Sequence, residues 1–275
     1  MKKFLALVLA ALMVFAFVAC NGTGKDNNGA SDASNASNAS NTSDTTEKAT
    51  LVMATNAAFP PYEFKEGDSF AGIDVEIAGK IAEKLGMTLE IKDVEFGSIV
   101  GGVQTGKFDI GMAGMTVTDE RLKSVNFSDS YATGIQVVIV KADSAIKSLD
   151  DLKGDGSMKF GVQQDTTGDI YASDTIENGG YGKDNVVRYK TGADAVQALK
   201  TGKVDAVIID NEPAKSFVKA NEGLSILDGS WVEENYAIAI AKENTELLEK
   251  VNNALKELTA DGTVKSIIDK YISAE

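Results

Sequence analysis

The amino-acid sequence predicts an α/β protein of two lobes that share one topology. Apolar runs of strand length alternate with segments of helical periodicity along most of the chain, which is the pattern of α/β folds. Residues 104–110 (QTGKFDI) resemble residues 200–206 (KTGKVDA), since each has a helix end, a glycine, a lysine and an apolar strand with an aspartate at its start. A last strand and two helices from residue 236 onward indicate that the C-terminal segment returns to the first lobe.

This pattern predicts a first lobe at residues 49–132 and 236–275 and a second lobe at residues 133–235. The chain then crosses between the lobes twice, near residues 131–135 and 232–236, and we expect these two segments to act as hinges. Ligands in α/β folds collect at the carboxyl ends of the strands, so we expect the binding residues there.

The first lobe begins with a short apolar strand at residues 50–54. Residues 59–64 follow as a loop that two prolines stiffen and that carries three aromatic residues. A helix is predicted from Asp74 because the apolar residues after it keep helical spacing, and Gly86 ends it. The next predicted elements are a strand at residues 88–94, a helix at residues 98–105 and a strand at residues 108–112.

The second lobe and the returning segment follow the same alternation. The predicted strands lie at residues 131–141, 159–162, 186–189, 204–209 and 236–241. The predicted helices are one that follows residues 163–169 and runs to about residue 176, one capped by Thr191 that ends at Lys200, one at residues 247–258 and one at residues 264–271. The helix at residues 247–258 has a single apolar face, which indicates packing against a core.

A candidate anion site follows the strand at residues 108–112. Ala113 and Gly114 allow the backbone to come close to a ligand, and Thr118 is a good N-cap residue for a helix whose first turn is acidic. Arg121, one of two arginines in the chain, lies in that turn. A guanidinium beside free helix N–H groups suits a carboxylate. The alternative is that Arg121 pairs with an acidic residue on a solvated helix face.

The composition narrows the possible chemistry. A formal net charge of −14 disfavours binding to nucleic acid. The chain has no histidine and one cysteine, which excludes Ser-His-Asp and Cys-His catalysis, an internal disulfide and a cysteine-rich metal site. Carboxylate or lysine chemistry stays possible.

The N-terminal segment is predicted to be a targeting sequence. Residues 1–19 combine two lysines with an apolar run that is typical of a signal peptide and too short for an ordinary spanning helix. The only cysteine, Cys20, follows directly, and this junction resembles the lipobox of bacterial lipoproteins. The resemblance implies cleavage, attachment of lipid (palmitate included) at Cys20, and anchorage to the cell membrane on its extracytoplasmic face. The alternative is a secreted protein with an incidental cysteine.

Residues 20–48 hold almost no large apolar residue and are predicted to form a disordered tether.

Several motifs of the body resemble one protein family. The strongest are AGMTVTDER at residues 113–121 and FSDSY at residues 127–131, supported by FPPYEF at 59–64, GIDVEI at 72–77, GVQQDTTG at 161–168 and VDAVIID at 204–210. Their order and spacing resemble the extracellular solute-binding protein family 3, the polar amino-acid receptors of ABC importers. The resemblance covers about residues 49–275 and implies a type II periplasmic binding protein fold, with two α/β lobes joined by a two-strand hinge.

The family pattern implies that two charged residues hold the ligand backbone. Arg121 would bind the α-carboxylate, helped by backbone N–H groups at Thr116 and Thr167. Asp210 would bind the α-ammonium, helped by the Gly114 carbonyl and the Thr116 hydroxyl. Without the family pattern, Asp210 is equally well explained as a helix N-cap.

The ligand side chain is predicted to lie between Phe59 and Phe96, with Asn56 at its far end. Without the family pattern, Phe96 is better explained as a core residue. The full predicted set of ligand-binding residues is Asn56, Phe59, Phe96, Ala113, Gly114, Thr116, Arg121, Gln164, Thr166, Thr167 and Asp210.

The resemblance predicts a monomeric receptor, not an enzyme, that binds a polar L-amino acid between closing lobes and delivers it to an ABC transporter permease. Asn56 stands where several relatives have aspartate, which favours a neutral ligand such as glutamine. Arginine and histidine stay open because Glu63 and Asp165 could supply negative charge. The alternative function is a cyclohexadienyl (prephenate or arogenate) dehydratase, which has a similar fold and needs a general acid such as Glu63 or Asp165. No cofactor or metal is expected.

Overall fold

The computed structural model describes residues 49–153 and 156–272. The predicted signal peptide, the tether and Cys20 lie outside these residues. The strands are β1 (Thr50–Thr55), β2 (Ala58–Phe59), β3 (Glu63–Glu66), β4 (Ser69–Ala71), β5 (Thr88–Asp93), β6 (Ile110–Gly111), β7 (Val125–Phe127), β8 (Ala132–Lys141), β9 (Phe160–Gln163), β10 (Val186–Tyr189), β11 (Ala206–Asp210), β12 (Leu224–Ile226), β13 (Val232–Tyr236) and β14 (Ala239–Ala241). The helices are α1 (Ile73–Lys84), α2 (Ile99–Gln104), α3 (Asp119–Leu122), α4 (Thr167–Ser173), α5 (Gly192–Lys200), α6 (Asn211–Ala220), α7 (Thr245–Ala260) and α8 (Thr263–Tyr271). None of the helices in these two ranges is long and apolar enough to cross a membrane.

The first lobe is built on a five-stranded sheet in the order β5-β1-β6-β14-β7. β1 pairs in parallel with β5 and β6, whereas β14 is antiparallel to both β6 and β7. Because β14 belongs to the C-terminal segment, the chain returns to the first lobe after it has built the second. Helices α7 and α8 then pack against α1 and complete the core of this lobe.

The second lobe is built on a sheet in the order β10-β9-β11-β8-β12, with β13 also paired to β8. β8 and β13 are antiparallel, from Ala132 opposite Tyr236 to Gln136 opposite Val232. The two segments that connect the lobes are therefore neighbouring strands, as expected for the two-strand hinge of a type II binding protein. The predicted lobe boundaries fall within this pair, and their residue numbers stay a prediction.

The repeated sequence motif occupies the same place in both lobes. Gly106 and Gly202 have φ angles of 71° and 73°, a left-handed conformation that glycine adopts at little cost after a helix. The following aspartates then repeat one contact: an Asp109 carboxylate oxygen accepts the Val52 N–H at 2.7 Å, and an Asp205 carboxylate oxygen accepts the Lys159 N–H at 2.8 Å. Each aspartate therefore fixes its own strand beside a parallel neighbour, β6 beside β1 in the first lobe and β11 beside β9 in the second.

Most predicted elements are present, and the differences have local causes. Thr118, Thr166 and Thr191 accept N–H hydrogen bonds from the first turns of α3, α4 and α5, so three helices begin at capping residues. The predicted strand at residues 236–241 is divided, because the chain leaves the second sheet at Tyr236 and enters the first at Ala239. The helix predicted to reach about residue 176 ends at Ser173, since Asp174 adopts an extended conformation.

Gly134 in β8 gives room to the Tyr236 ring on the paired strand. A Cβ atom at Gly134 would lie 2.2 Å from the Tyr236 hydroxyl oxygen and 2.4 Å from the ring carbon that bears it. We expect Gly134→Ala to lower the free energy of unfolding by about 1–3 kcal/mol, because a buried ring must move. Urea denaturation measures the change.

The matched control is Gly101→Ala in α2, where a Cβ atom would meet no heavy atom within 4 Å. This control should raise the free energy of unfolding by about 0.5–1 kcal/mol, since alanine favours a helix interior. Equal effects of the two substitutions would contradict the role given to Gly134.

Candidate functional site

A cavity lies between the lobes at the carboxyl ends of β1, β6, β9 and β11. Its lining consists of Asn56, Phe59, Glu63, Phe96, Ala113, Gly114, Thr116, Arg121, Gln163, Thr166, Thr167, Ile208, Ile209 and Asp210. Every predicted site residue except Gln164 belongs to this set. The strand order explains the clustering, because parallel strands bring their carboxyl ends to one edge of a sheet.

Gln164 lies outside the cavity, and Gln163 takes the place predicted for it. Gln163 ends β9 and is 6% exposed, and its side-chain N–H donates to the Asn56 side-chain oxygen at 2.9 Å. Gln164 is exposed, and its amide group contacts the Asp165 carboxylate instead. Successive side chains along a strand point in opposite directions, so a shift of one residue moves the amide from the cavity to solvent.

Arg121 is buried and lies against backbone carbonyls of both lobes. It is 8% exposed, and its guanidinium donates to the Thr116 carbonyl at 2.7 Å and to the Asp165 carbonyl at 3.1 Å. The guanidinium carbon lies 5.2 Å from the centre of the Phe96 ring, a cation–π distance. The proposed pairing on a solvated helix face is therefore wrong. Since a guanidinium has five N–H groups and its acceptors are uncharged carbonyls, Arg121 can also receive a carboxylate.

Burial lowers the pKa of Arg121 from its ordinary value, and the negative charge of Glu234 acts most strongly in the opposite direction. The positive charge is thus held in a poorly solvated place. A charge in such a place favours an anionic partner more strongly than it would in water.

Asp210 lies at the end of β11 and is 9% exposed. It occupies the N-cap position of α6, but its side chain makes no capping hydrogen bond. The carboxylate instead accepts hydrogen bonds from the Tyr236 hydroxyl and from the Gln136 amide, the latter at 2.8 Å. The interpretation of Asp210 as a simple helix cap is therefore wrong.

Burial, together with the nearby Glu234 carboxylate, raises the pKa of Asp210 to about 7, against the lowering effect of its hydrogen bonds from Tyr236 and Gln136. Among the residues that the structure describes, no lysine or arginine forms an ion pair with the Asp210 carboxylate. A bound ammonium group would supply that cationic partner.

Phe59 and Phe96 form the aromatic walls. The Phe59 ring stacks against Tyr62 with 5.9 Å between ring centres and lies beside Gly114. Gly114 has a φ angle of 50°, and its N–H donates to the Asp74 carboxylate at 2.8 Å. A Cβ atom at Gly114 would lie 2.8 Å from the Phe59 ring, so glycine keeps the ring and the backbone in place.

Two amides, Asn56 and Gln163, and one acid, Glu63, also line the cavity. Asn56 donates to the Val94 carbonyl at 2.8 Å and accepts from Gln163, so its orientation is fixed. Glu63 is 1% exposed, and burial together with the neighbouring Asp74 raises its pKa well above the usual range. Burial therefore acts against the ionised form of Glu63.

Asp165 does not line the cavity with its side chain. It has a φ angle of 65°, which is unusual for a residue with a Cβ atom, and its carbonyl accepts from Arg121. Its N–H donates to the Asp169 carboxylate at 3.1 Å. The backbone of Asp165, not its charge, thus contributes to the site.

Four cavity residues were not in the predicted set of binding residues: Glu63, Gln163, Ile208 and Ile209. The two isoleucines belong to β11, which the sequence showed only as a buried apolar strand. Glu63 was considered only as a source of negative charge or as the general acid of the alternative function.

Comparison with known proteins agrees with this fold. Residues 51–274 match the family described as bacterial extracellular solute-binding proteins, family 3. The arginine-binding extracellular protein ArtP of Bacillus subtilis is 34% identical over 278 residues, which cover 100% of both chains. An ancestral arginine-binding protein solved with bound glutamine is 40% identical, with a TM-score of 0.74 over 82% of this chain and 99% of that one.

A second similar structure is the ancestral amino acid-binding protein AncCDT-1, described as a precursor of cyclohexadienyl dehydratase. It is 35% identical, with a TM-score of 0.73 over 81% of this chain and 95% of the other. The family match spans nearly all of the described residues, and the buried arginine and aspartate face one cavity between two lobes. This chain belongs to the bacterial extracellular solute-binding proteins of family 3.

Proposed function

We propose that this protein is an extracytoplasmic receptor that binds a polar L-amino acid between its lobes and delivers it to an ABC transporter permease. One observation carries the proposal: the cavity has a buried guanidinium, Arg121, on the first lobe and a buried carboxylate, Asp210, on the second. These charges are complementary to the α-carboxylate and the α-ammonium of an amino acid.

The same arrangement explains why binding and lobe closure are coupled. Both ligand charges lose water in a closed cavity, so each needs a charged and hydrogen-bonded partner. Because the partners lie on different lobes, only the closed arrangement provides both. The ligand thus stabilises that arrangement by its differential affinity.

Glutamine is the ligand that we favour. The Asn56 and Gln163 amides line the cavity as neutral donors and acceptors that match a side-chain amide. Arginine is the first alternative, since two of the similar proteins have names that specify arginine binding. A cationic ligand would need Glu63 to ionise despite the burial that raises its pKa. Histidine is the second alternative.

We further propose that the body is anchored to the membrane by lipid at Cys20, after removal of the signal peptide, and works as a monomer. The tether at residues 20–48 would keep the receptor near its permease. Metabolic labelling with a palmitate analogue tests the anchor, because Cys20→Ser should abolish the label.

A thermal-shift panel tests the proposed function. The purified protein is unfolded and refolded to remove carried-over ligand, and then heated with each common L-amino acid, prephenate or arogenate. A ligand at 100 times its Kd stabilises the native state by about 2.7 kcal/mol, which gives a visible shift in Tm. We expect the largest shift with glutamine.

A shift with prephenate or arogenate and with no amino acid would overturn the receptor proposal. It would favour the dehydratase alternative, for which the similarity to AncCDT-1 is the supporting observation. A shift with arginine or histidine but not glutamine would keep the receptor and correct its ligand.

A further inference from the structure

Asp210 and two buried side chains behind it, Gln136 and Glu234, form a continuous hydrogen-bonded group on neighbouring strands. Gln136 of β8 is fully buried, and Glu234 of β13 is 4% exposed. β8 pairs with β11 on one side, where Gln136 is opposite Asp210, and with β13 on the other. The Gln136 side chain is thus placed between two acids that the strand order brings together.

One amide nitrogen bridges the two acids. Gln136 Nε2 donates to an Asp210 carboxylate oxygen at 2.8 Å and to a Glu234 carboxylate oxygen at 2.9 Å. The Thr167 hydroxyl is a more distant neighbour at 3.5 Å. An amide NH₂ has two hydrogens, so these two carboxylates use both of them.

The group has more acceptors than donors. Among the described residues, the second oxygen of Glu234 and the side-chain oxygen of Gln136 are buried outside ordinary hydrogen-bond geometry, with the Tyr171 hydroxyl as a further neighbour of Glu234. Two ionised carboxylates in one buried site repel each other, and unpaired buried acceptors are costly. This excess indicates that the site holds a proton or a cation besides the groups already described.

We propose that Glu234 is a positioning residue of the ammonium-binding subsite, because its carboxylate, held beside Asp210 by the common Gln136 donor, makes Asp210 retain a proton that the ligand ammonium displaces. The proposal rests on the proposed function, since it requires an amine ligand. In the step, the O–H bond of the Asp210 carboxyl breaks, its proton passes to water, and the ammonium group takes its place beside Asp210. The net charge of the subsite is therefore conserved.

Charged and titratable groups from several neighbouring elements face Asp210 and Glu234. They are Arg121 of α3, Tyr171 of α4, Tyr236 of β13, Glu63 of β3, and Tyr62 and Glu212 beside Asp210. Burial raises the pKa of each tyrosine, so the tyrosines stay neutral near pH 7. Arg121 stays charged, and Glu63 is the other acid whose ionisation interacts with Asp210.

The pH dependence of ligand affinity tests the proposal. For the amino acid that gives the largest thermal shift, the wild-type Kd should be about tenfold weaker at pH 6 than at pH 8, since a proton competes with the ammonium. Glu234→Gln removes the like charge, so Asp210 ionises more easily and the difference should fall below about threefold. Calorimetry in buffers of different ionisation enthalpy should show proton release at pH 6.5 that the variant has lost.

The matched control is Glu233→Gln, the same change on the exposed neighbour of the same strand. It should keep the wild-type pH profile. A second variant, Gln136→Leu, removes a hydrogen bond that lowers the pKa of Asp210, so it should move the pH dependence to higher pH, and the test does not depend on the folding of one variant. A wild-type pH profile in a folded Glu234→Gln protein would overturn the proposal.

A failure of the proposed function can be told apart from a failure of this inference, because the proton on Asp210 can be followed without a ligand. The Tm of the ligand-free wild type should fall between pH 6 and pH 8 as Asp210 loses its proton, and Glu234→Gln should reduce that fall. If no amino acid binds but this difference is present, the receptor proposal fails and the role of Glu234 beside Asp210 stands. If the two Tm profiles coincide, the role of Glu234 is refuted whatever the ligand.

Discussion

Replacing Arg121 with alanine is expected to weaken the affinity for the amino-acid ligand by about 2–5 kcal/mol, roughly 30-fold to several thousand-fold in Kd. The guanidinium is 8% exposed and rests against backbone carbonyls and the Phe96 ring. Without it, the ligand carboxylate would lie in a poorly solvated cavity without a charged partner. Arg121→Lys should give an intermediate loss, because an ammonium cannot form the paired hydrogen bonds of a guanidinium. Calorimetric titration of ligand-free protein measures the change.

The matched control is Lys123→Ala, two residues further along the chain. Lys123 is exposed and pairs with Glu120 at the surface, so its removal should leave the affinity unchanged. Near-native affinity in Arg121→Ala would refute the assignment of the carboxylate subsite. An equal loss of affinity in Lys123→Ala would show that the effect comes from the net charge of the protein and not from a contact with the ligand.

Asp210→Asn is expected to change ligand affinity and stability in opposite directions. Affinity should fall by about 2–5 kcal/mol, since the ammonium loses its buried anionic partner. The ligand-free protein should become more stable by about 1–3 kcal/mol at pH 8, because a buried charge beside Glu234 is removed while the side-chain volume is kept. The two effects have opposite signs because a charged residue that serves ligand binding destabilises the protein when no ligand is bound.

The sign of the pH effect follows from the pKa of Asp210, which is about 7 in the folded state against 3.8 ordinarily. Between these values the native state binds more protons than the unfolded state, so this group lowers stability as pH rises from about 4 to about 7. Urea unfolding should therefore show the gain of Asp210→Asn at pH 8 and less than about 1 kcal/mol of it at pH 4.5. A variant that is less stable than wild type at pH 8 would contradict the proposed cost of the buried charge.

The ends of several helices were predictable, because a single capping residue or glycine determines the local backbone there. Thr118 and Thr191 accept hydrogen bonds from the helices that they were predicted to cap. The glycines of the repeated motif adopt the left-handed conformation that a helix end needs. The division of residues 236–241 was not predictable, because an apolar run does not report which of two sheets each half will join.

The family motifs predicted most residues of the candidate site, but not the details that depend on where strands end and how they pair. Arg121 and Asp210 were identified by position, and both line the cavity. Gln163 and Gln164 are adjacent identical residues, so only the end of β9 decides which of them points inward. The importance of Glu234 depends on the pairing of β8 with β13 and with β11, a long-range contact that sequence periodicity does not reveal.

The central claim is that both backbone charges of an amino acid are bound, one by each lobe. Calorimetric titration of the ligand-free protein with the best L-amino acid, its α-methyl ester and its N-acetyl derivative tests this claim most directly, since each derivative lacks one charge. We predict that both derivatives bind at least about 100-fold more weakly than the parent, and that Arg121→Ala removes the preference for the acid over the ester. An ester or an N-acetyl derivative that binds as tightly as the parent amino acid would contradict the account.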